Sequence, residues 1–305
     1  MILVLFLAAA IATPLIARLA RRVGVTDLRL PGERHRKPRE EQVPPIGGLV
    51  LLLGLCYWGV RTGDTRWLQQ GSEVPWLALF AAFLLGFVDD LRGMKPALKL
   101  TGQLLIGIAY AWQLGSEGPQ ALLQVLAVVI ACNAANTFDN SDGVLAGTSL
   151  LFLYSFPAAA ALVAGFLPSN WLIRRGKERV PLAYLGDSGS HMLGVLLLLT
   201  PAGLFALMLP LLDLLRLSIV RLRVKSWPWI GDRRHLAHRL EKRFSPPILV
   251  VIMVLIALPG ALGCAHLYRF GDGHASLAWI GAAATAVLFM LAVMLTEEPK
   301  ARSMA

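Results

Sequence analysis

Residues 121–143 read ALLQVLAVVIACNAANTFDNSDG, an apolar run that ends in regularly spaced polar side chains. The first half has the character of a membrane-crossing helix, which needs about 17–25 predominantly apolar residues. The second half carries amides and carboxylates three residues apart: Asn133, Asn136, Asp139 and Asp142. Because residues three apart lie on one slowly rotating helical face, we predict that these side chains meet at the end of an apolar helix. An amide-capped helix end that runs into a turn at Gly143 is the simpler alternative.

The rest of the chain has the same composition. Of its 305 residues 56% are hydrophobic and only 16% are charged, whereas soluble domains are about 25% charged. Nine apolar runs lack the alternation of β-barrel strands. They are residues 1–18, 45–60, 74–88, 97–114, 119–137, 144–167, 190–220, 246–268 and 277–296. We therefore predict an all-α, polytopic membrane helix bundle that forms a single integral-membrane domain over residues 1–305. It should have nine to eleven transmembrane segments, some of them short or broken, and the first apolar run should be a spanning helix.

The formal net charge of +10 is concentrated in loops. By the positive-inside rule, the basic loops 18–44, 174–187 and 216–244 face the cytoplasm, together with loop 89–96. Sidedness explains most of this charge, so we expect no nucleic-acid partner. The three cysteines lack CxxC spacing and are predicted to be small buried apolar groups.

This sidedness requires an even number of crossings between Asp142 and Asp187, and again between Asp187 and Asp232. Each interval nevertheless holds an apolar run of about one span. Either the two runs fold as pairs of short, broken or re-entrant helices, which membrane proteins tolerate where protein buries them, or the predicted sidedness is wrong.

Three further polar clusters adjoin apolar runs. They are Asp89-Asp90, the stretch GDSGS at residues 186–190, and Asp232-x-x-His235-x-x-His238. An acidic side chain at mid-bilayer costs about 2.5–3.5 kcal/mol on insertion scales, so repeated acidic clusters suggest function.

Each of these clusters also has a simpler interpretation. Two carboxylates at a helix C-terminus oppose the helix dipole, so a lysine (Lys95 or Lys99) or a metal should compensate Asp89 and Asp90, unless solvent does. The GDSGS stretch either N-caps the next helix or forms an anion site at its N-terminus. The paired histidines suggest zinc only weakly, because the HExxH pattern is absent, and their basic loop is also typical of a membrane-surface anchor.

Taken in order, the clusters resemble those of the polyprenyl-phosphate N-acetylhexosamine-1-phosphate transferases. This family includes the bacterial UDP-GlcNAc:undecaprenyl-phosphate GlcNAc-1-phosphate transferases and is related to phospho-N-acetylmuramoyl-pentapeptide transferase. The resemblance runs from Asp27 to Leu240 and is carried by these matches: Asp27, Arg34, His35, Lys37, Pro38, Pro44 and Gly47-Gly48 in the first loop; Asp89-Asp90 with Lys99-Leu100-x-x-Gln103; Asn133 to Gly143; Gly186 to Ser190; and Asp232 to Leu240. Two departures are Asn140, where the family has glycine, and Ala237, where it has histidine.

The resemblance implies a reaction and residues for it. A sugar 1-phosphate would pass from UDP-N-acetylhexosamine to a polyprenyl phosphate, giving a polyprenyl-diphosphate sugar and UMP. The implied cofactor is Mg²⁺, with Mn²⁺ as an alternative, at Asp142 and Asp187. The implied catalytic residues are Asp89, Asp90, Asp139 and His235. The implied substrate-binding residues are Lys99, Asn133, Asn136, Arg234, His238 and Arg239.

The resemblance also implies a setting. We expect a bacterial cytoplasmic (inner) membrane protein with its active site on the cytoplasmic face, acting in the first membrane step of cell-envelope glycan synthesis, such as lipopolysaccharide O-antigen or cell wall. A homodimer is left open. The alternatives are an intramembrane Mg-dependent prenyltransferase, a catalytically inactive family member and a transporter.

Overall fold

The computed structural model describes residues 1–27, 42–63, 69–70, 74–177, 179–223, 234–271 and 275–296. Within them the chain forms twelve α-helices and one two-stranded hairpin. The helices are α1 Ile2–Arg22, α2 Gly47–Thr62, α3 Trp76–Arg92, α4 Pro96–Gln113, α5 Gly118–Phe138, α6 Val144–Ser149, α7 Pro157–Trp171, α8 Gly186–Leu198, α9 Met208–Arg223, α10 Leu236–Leu240, α11 Pro246–Phe270 and α12 Ala275–Leu295. The strands are β1 Arg174–Arg175 and β2 Val180–Pro181.

The predicted polytopic helical membrane fold is confirmed. Five helical segments are long and apolar enough to cross a membrane: Ile2–Arg22, Gly118–Phe138, Gly203–Arg223, Pro246–Phe270 and Ala275–Leu295. The outer surface is apolar as well, with Leu3 67%, Leu105 62% and Leu295 73% exposed. Cys132 and Cys264 are buried, as predicted, whereas Cys56 is half-buried, and all three are free thiols.

The two intervals that raised the crossing problem each contain two helices. Run 144–167 becomes α6, a 3-10 turn at Leu153–Ser155 and α7. Pro157 begins α7 because proline suits the first helical turn and cannot continue a preceding helix. Run 190–220 likewise divides into α8 and α9 around a 3-10 turn at Gly203–Leu207.

Two of the nine apolar runs therefore contain two helices each, so the described residues form eleven apolar helical segments. The six residues of α6 extend only about 9 Å at 1.5 Å per residue, against about 30 Å of hydrocarbon. Each interval thus contains two helices, as the first alternative predicted, and the number of membrane crossings stays a prediction. Which loops face the cytoplasm stays a prediction.

Helix α8 lies at the centre of the bundle, against α2, α3 and α5. Its side chains from Ser188 to Leu197 are all buried. Glycines let its neighbours approach closely: a Cβ at Gly86 of α3 would lie 2.3 Å from the carbonyl carbon of Asp187, and one at Gly48 of α2 would lie 2.5 Å from Ser188 Oγ. Small residues at such crossings are typical of helix packing in membranes. The first turn of α8 is thereby pressed against α2 and α3.

The segment just before α8 is fixed by the ends of other helices. Arg21, in the last turn of α1, donates to the carbonyl of Leu182 at 3.1 Å. The N–H of Gly47, at the start of α2, donates to the carbonyl of Tyr184 at 3.0 Å. The N-terminus of α8 is therefore held at one end of the bundle.

Candidate active site

The centre of the site is an ion-pair cluster around Lys99 in the first turn of α4. Its Nζ lies 2.6 Å from Asp89 Oδ2 and 2.5 Å from Asp187 Oδ2. All three side chains are partly buried, and Asp89 Oδ1 also accepts from the N–H of Met94 at 2.6 Å. The cationic compensation predicted for the Asp89-Asp90 pair is confirmed, and a lysine supplies it.

Asp90 caps the N-terminus of α8 from a different helix. Its Oδ1 accepts from the N–H of Asp187 at 2.8 Å, and its Oδ2 accepts from the N–H and the Oγ of Ser188 at 3.1 and 3.0 Å. A helix N-terminus favours an anion, and here a carboxylate of the protein occupies it. Asp90 therefore occupies these N–H groups, and the anion site predicted at GDSGS stays a prediction. Gly186 adopts φ +77° directly before this turn, where a Cβ would meet Asp90 Oδ2 at 2.7 Å.

The polar series at the end of α5 divides among different partners. Asn133 donates from Nδ2 to Gln103 Oε1 at 2.6 Å and to the carbonyl of Val129 at 2.8 Å. The buried Nδ2 of Asn136 has no hydrogen-bond partner among the residues described. An amide donor left this way costs about 1–3 kcal/mol unless something accepts from it, so Asn136 is suited to a ligand oxygen.

Asp139 and Asp142 follow the end of α5. Asp142 Oδ2 accepts from Arg174 Nη1 in β1 at 2.5 Å. The pKa of Asp139 is raised well above its usual range, mainly by burial. The neighbouring carboxylates of Asp187, Asp142 and Asp90 raise it further. This shift shows that the acidic groups predicted to converge do share one electrostatic environment.

The loop that carries His235 is anchored by two charged residues of α9. Asp213 Oδ2 lies 2.9 Å from His235 Nδ1, and Asp213 Oδ1 accepts from the N–H of Leu236 at 3.2 Å. Arg216 donates to the carbonyl of Arg234 and pairs with Asp213 at 3.0 Å. Since a carboxylate can only accept, His235 Nδ1 carries a proton and donates it to Asp213.

Asp213 and Arg216 were missed from the sequence. The available signal was a charged pair inside the apolar stretch PLLDLLR, residues 210–216. Arg174 was predicted only as part of a basic loop, and its ion pair with Asp142 was missed in the same way.

His238 and Arg239 have partners near this loop. His238 Nδ1 lies 2.9 Å from Glu241 Oε2. Arg239 is buried and donates to the carbonyls of Val293 (2.7 Å) and Thr296, at the end of α12. Arg239 therefore caps α12, and the substrate-binding role predicted for it stays a prediction.

Comparison with known proteins supports the resemblance. Residues 74–204 match glycosyl transferase family 4. The undecaprenyl-phosphate alpha-N-acetylglucosaminyl 1-phosphate transferase of Escherichia coli (strain K12) is 24% identical, over 91% of this chain and 84% of that protein. The decaprenyl-phosphate N-acetylglucosaminephosphotransferase of Mycobacterium leprae is 27% identical, over 85% and 83%. The family resemblance is confirmed.

The region that matches glycosyl transferase family 4 contains the whole acidic cluster, from Asp89 through Asp187. Asp213 and His235 lie beyond it. The two departures from the family pattern are structurally mild: Asn140 is exposed and donates to the carbonyl of Thr137, and Ala237 is buried in α10.

A metal site was predicted at Asp142 and Asp187. In the described part of the chain no three His, Cys, Asp or Glu side chains are arranged as a ready metal site. Mg²⁺ makes a smaller demand, since it keeps several waters and takes one or two carboxylates plus substrate phosphates. Asp232 and the first-loop residues Arg34, His35 and Lys37 lie outside the described residues.

Proposed function

We propose that this chain transfers N-acetylhexosamine 1-phosphate from a UDP-N-acetylhexosamine to a polyprenyl phosphate. The observation that carries this proposal is the convergence of α3, α4 and α8 on Lys99, with Asp89 and Asp187 paired to one ammonium. The relatives named for undecaprenyl- or decaprenyl-phosphate substrates support the lipid acceptor. The UDP-sugar donor is inferred from the chemistry of the site and from the family resemblance.

The reaction replaces the phosphoanhydride link between the β-phosphorus and UMP with one between the β-phosphorus and the lipid phosphate. An oxygen of the lipid phosphate attacks the β-phosphorus of the nucleotide sugar, a new P–O bond forms, and the bond to the α-phosphate oxygen breaks to release UMP. A phosphate monoester has a second pKa near 6 and is mostly dianionic at neutral pH, so the attacking group needs little deprotonation. Positioning and charge neutralisation should dominate.

The contacts suggest a division of work. Lys99 would hold the lipid phosphate by exchanging part of its pairing with Asp89 and Asp187, and Asp89 would orient that phosphate. Asn136, with its unpartnered amide nitrogen, would donate to the diphosphate or the nucleotide. Asn133 would support the substrate-binding groups from one helical turn deeper in the bundle. Asp90, whose oxygens are committed to α8, would shape the site rather than accept a proton.

The same proposal includes a divalent cation, Mg²⁺ or Mn²⁺. Asp187 and Asp142 are the proposed ligands, and Asp139 is a third acidic group that interacts with both. When bound, the ion would supply charge neutralisation at the diphosphate. His235 Nε2, His238 and Arg234 would bind the sugar-phosphate end of the donor.

The proposed setting is the bacterial inner membrane, with the site facing the cytoplasm, where UDP-sugars are made. The product would then start a cell-envelope glycan such as lipopolysaccharide or cell-wall polymer. A prenyltransferase is disfavoured because the family and relatives are sugar-phosphate transferases. A direct assay of transfer distinguishes an active enzyme from a catalytically inactive family member.

The test is a panel of UDP-sugars incubated with membranes that contain this protein, polyprenyl phosphate and Mg²⁺. We expect sugar label in the organic phase with at least one UDP-N-acetylhexosamine, release of UMP, and loss of both with EDTA. Membranes from cells without the protein are the control. Absence of product with every sugar, while one of the named relatives is active in the same assay, would contradict the proposal.

A further inference from the structure

A second polar layer lies one helical turn beneath the ion-pair cluster. Gln103 follows Lys99 by four residues on α4, and His191 follows Asp187 by four residues on α8, so each pair lies on one helix face. Gln103 is 1% exposed and His191 is fully buried. Polar groups buried this deeply inside a membrane helix bundle are costly unless they are hydrogen-bonded to one another.

These groups form a continuous hydrogen-bonded chain. Asn133 Nδ2 donates to Gln103 Oε1 at 2.6 Å. Gln103 Nε2 lies 3.2 Å from His191 Nε2, and His191 Nδ1 lies 2.6 Å from the carbonyl oxygen of Asp187. The chain therefore crosses from α5 to α4 to α8 and ends on the backbone of Asp187.

The donors along this chain must all point the same way. A carbonyl only accepts, so His191 Nδ1 carries a proton and donates to Asp187; Nε2 of the neutral ring then accepts from the Gln103 amide nitrogen. The Gln103 carbonyl is left to accept from Asn133, as it does. Aligned hydrogen bonds of this kind polarise one another.

The chain holds one side of a peptide group whose other side is already held. The peptide between Asp187 and Ser188 has its carbonyl bound by His191 and its N–H bound by Asp90 at 3.1 Å. That peptide carries the Asp187 side chain at the site. We propose that His191 and Gln103 are positioning residues, which set the height and rotation of the first turn of α8 so that Asp187 meets Lys99. This inference rests on the proposed function for its kinetic consequence only.

The experiment uses His191→Phe, Gln103→Met and the double variant in the full-length protein, with Met192→Leu as the control for a buried change in the same turn of α8. Met192 is fully buried and is not part of the chain. We expect each single variant to lower kcat about 10- to 100-fold, the range usual for residues that orient a metal ligand, with much smaller changes in KM for the UDP-sugar. Met192→Leu should stay near wild type.

Two readouts separate positioning from simple packing. The double variant should be little worse than either single variant, because one broken link already disconnects the chain. His191→Asn, whose amide N–H can still reach the Asp187 carbonyl, should retain more activity than His191→Phe at equal thermal stability. Additive losses in the double variant, or loss of stability with kcat per folded protein unchanged, would overturn the proposal.

The tautomer is measurable without activity. Nitrogen-15 spectra of histidine-labelled protein should include the signal of a neutral ring with the proton on Nδ1 that disappears in His191→Phe. If His191 instead carries its proton on Nε2, the proposed hydrogen-bonded chain is wrong, even if the enzyme is active. If wild type makes no product but the Nδ1-protonated ring is present, the proposed function fails and the hydrogen-bonded chain stands. Should His191→Phe fail to insert, Gln103→Met carries the kinetic test and the loss of the Nδ1 signal is assigned with His191→Asn.

Discussion

Lys99 is the residue on which the site geometry depends most directly. Its ammonium neutralises Asp89 and Asp187 together, and this pairing keeps two carboxylates close in a partly buried place. A substrate phosphate would compete for the same ammonium. The lysine therefore serves both the folded site and the proposed lipid acceptor.

We expect Lys99→Ala to raise KM for polyprenyl phosphate about tenfold or more, because a hydrogen bond to a charged group contributes about 1.5–3 kcal/mol. KM for the UDP-sugar should change much less. Steady-state kinetics with each substrate varied in turn measures the difference. Lys95→Ala, at an exposed lysine just before α4, is the control, and equal effects of Lys99→Ala on both KM values would argue against the lipid-phosphate role.

Asp139 gives a pH-dependent prediction. Burial and the nearby carboxylates raise its pKa in the folded protein, so the folded state binds more protons than the unfolded state, in which the pKa is about 3.9. Stability should therefore fall as pH rises above about 4 toward the raised pKa, and Asp139→Asn should remove part of that fall.

Thermal unfolding in detergent at pH 5 and pH 8, without divalent cations, tests this prediction. Wild type should lose more stability between the two pH values than Asp139→Asn does. An equal loss in the two proteins would mean that Asp139 titrates as it does in an unfolded chain.

At the scale of elements, the apolar runs predicted most helices well but not their breaks. Run 119–137 corresponds to α5 Gly118–Phe138, whereas run 190–220 contains two helices. Proline and glycine near residues 201–203 indicated the break, but only packing decides that the chain turns back there. The capping of α8 by Asp90 was beyond sequence reasoning, because it joins residues 97 positions apart.

The site was predictable to a similar degree. The acidic and amide clusters came from spacing and resemblance, and they do converge. Their partners did not: Arg174 on Asp142, Asp213 on His235 and Gln103 on His191 are all contacts between residues far apart in the chain. A single sequence contains no local signal for which buried polar groups will meet.

The close packing of α3 against α8 makes Gly86 a sensitive position. A methyl group there would lie 2.3 Å from the backbone of Asp187, so the two helices must separate, and overpacking of this kind typically costs about 1–3 kcal/mol. Gly86→Ala should lower both thermal stability and transferase activity. Leu84→Ala, on the same helix but 58% exposed, should affect both much less; the same effect from both variants would contradict the packing account.

At the scale of the whole molecule, the eleven apolar helical segments are arranged so that α1, α3 and α5 end, and α8 begins, on one side of the bundle. Single cysteines at Lys177 and Glu117, both exposed, test the orientation in a background that lacks the native cysteines. A membrane-impermeant maleimide applied to intact spheroplasts should label the Glu117→Cys protein and not the Lys177→Cys protein. Labelling of both, or the reverse, would mean that the loops are not sorted as their charge predicts.

The most direct test is the rate of sugar-label transfer to polyprenyl phosphate by wild type and by Asp187→Asn, in matched membranes with Mg²⁺. Asp187 touches Lys99 through its side chain and Asp90 through its N–H, so the ion-pair cluster and the capped N-terminus of α8 meet at this residue. We expect transfer by wild type and none above background by Asp187→Asn, with equal amounts of inserted protein. Activity of Asp187→Asn within a few-fold of wild type would contradict the account.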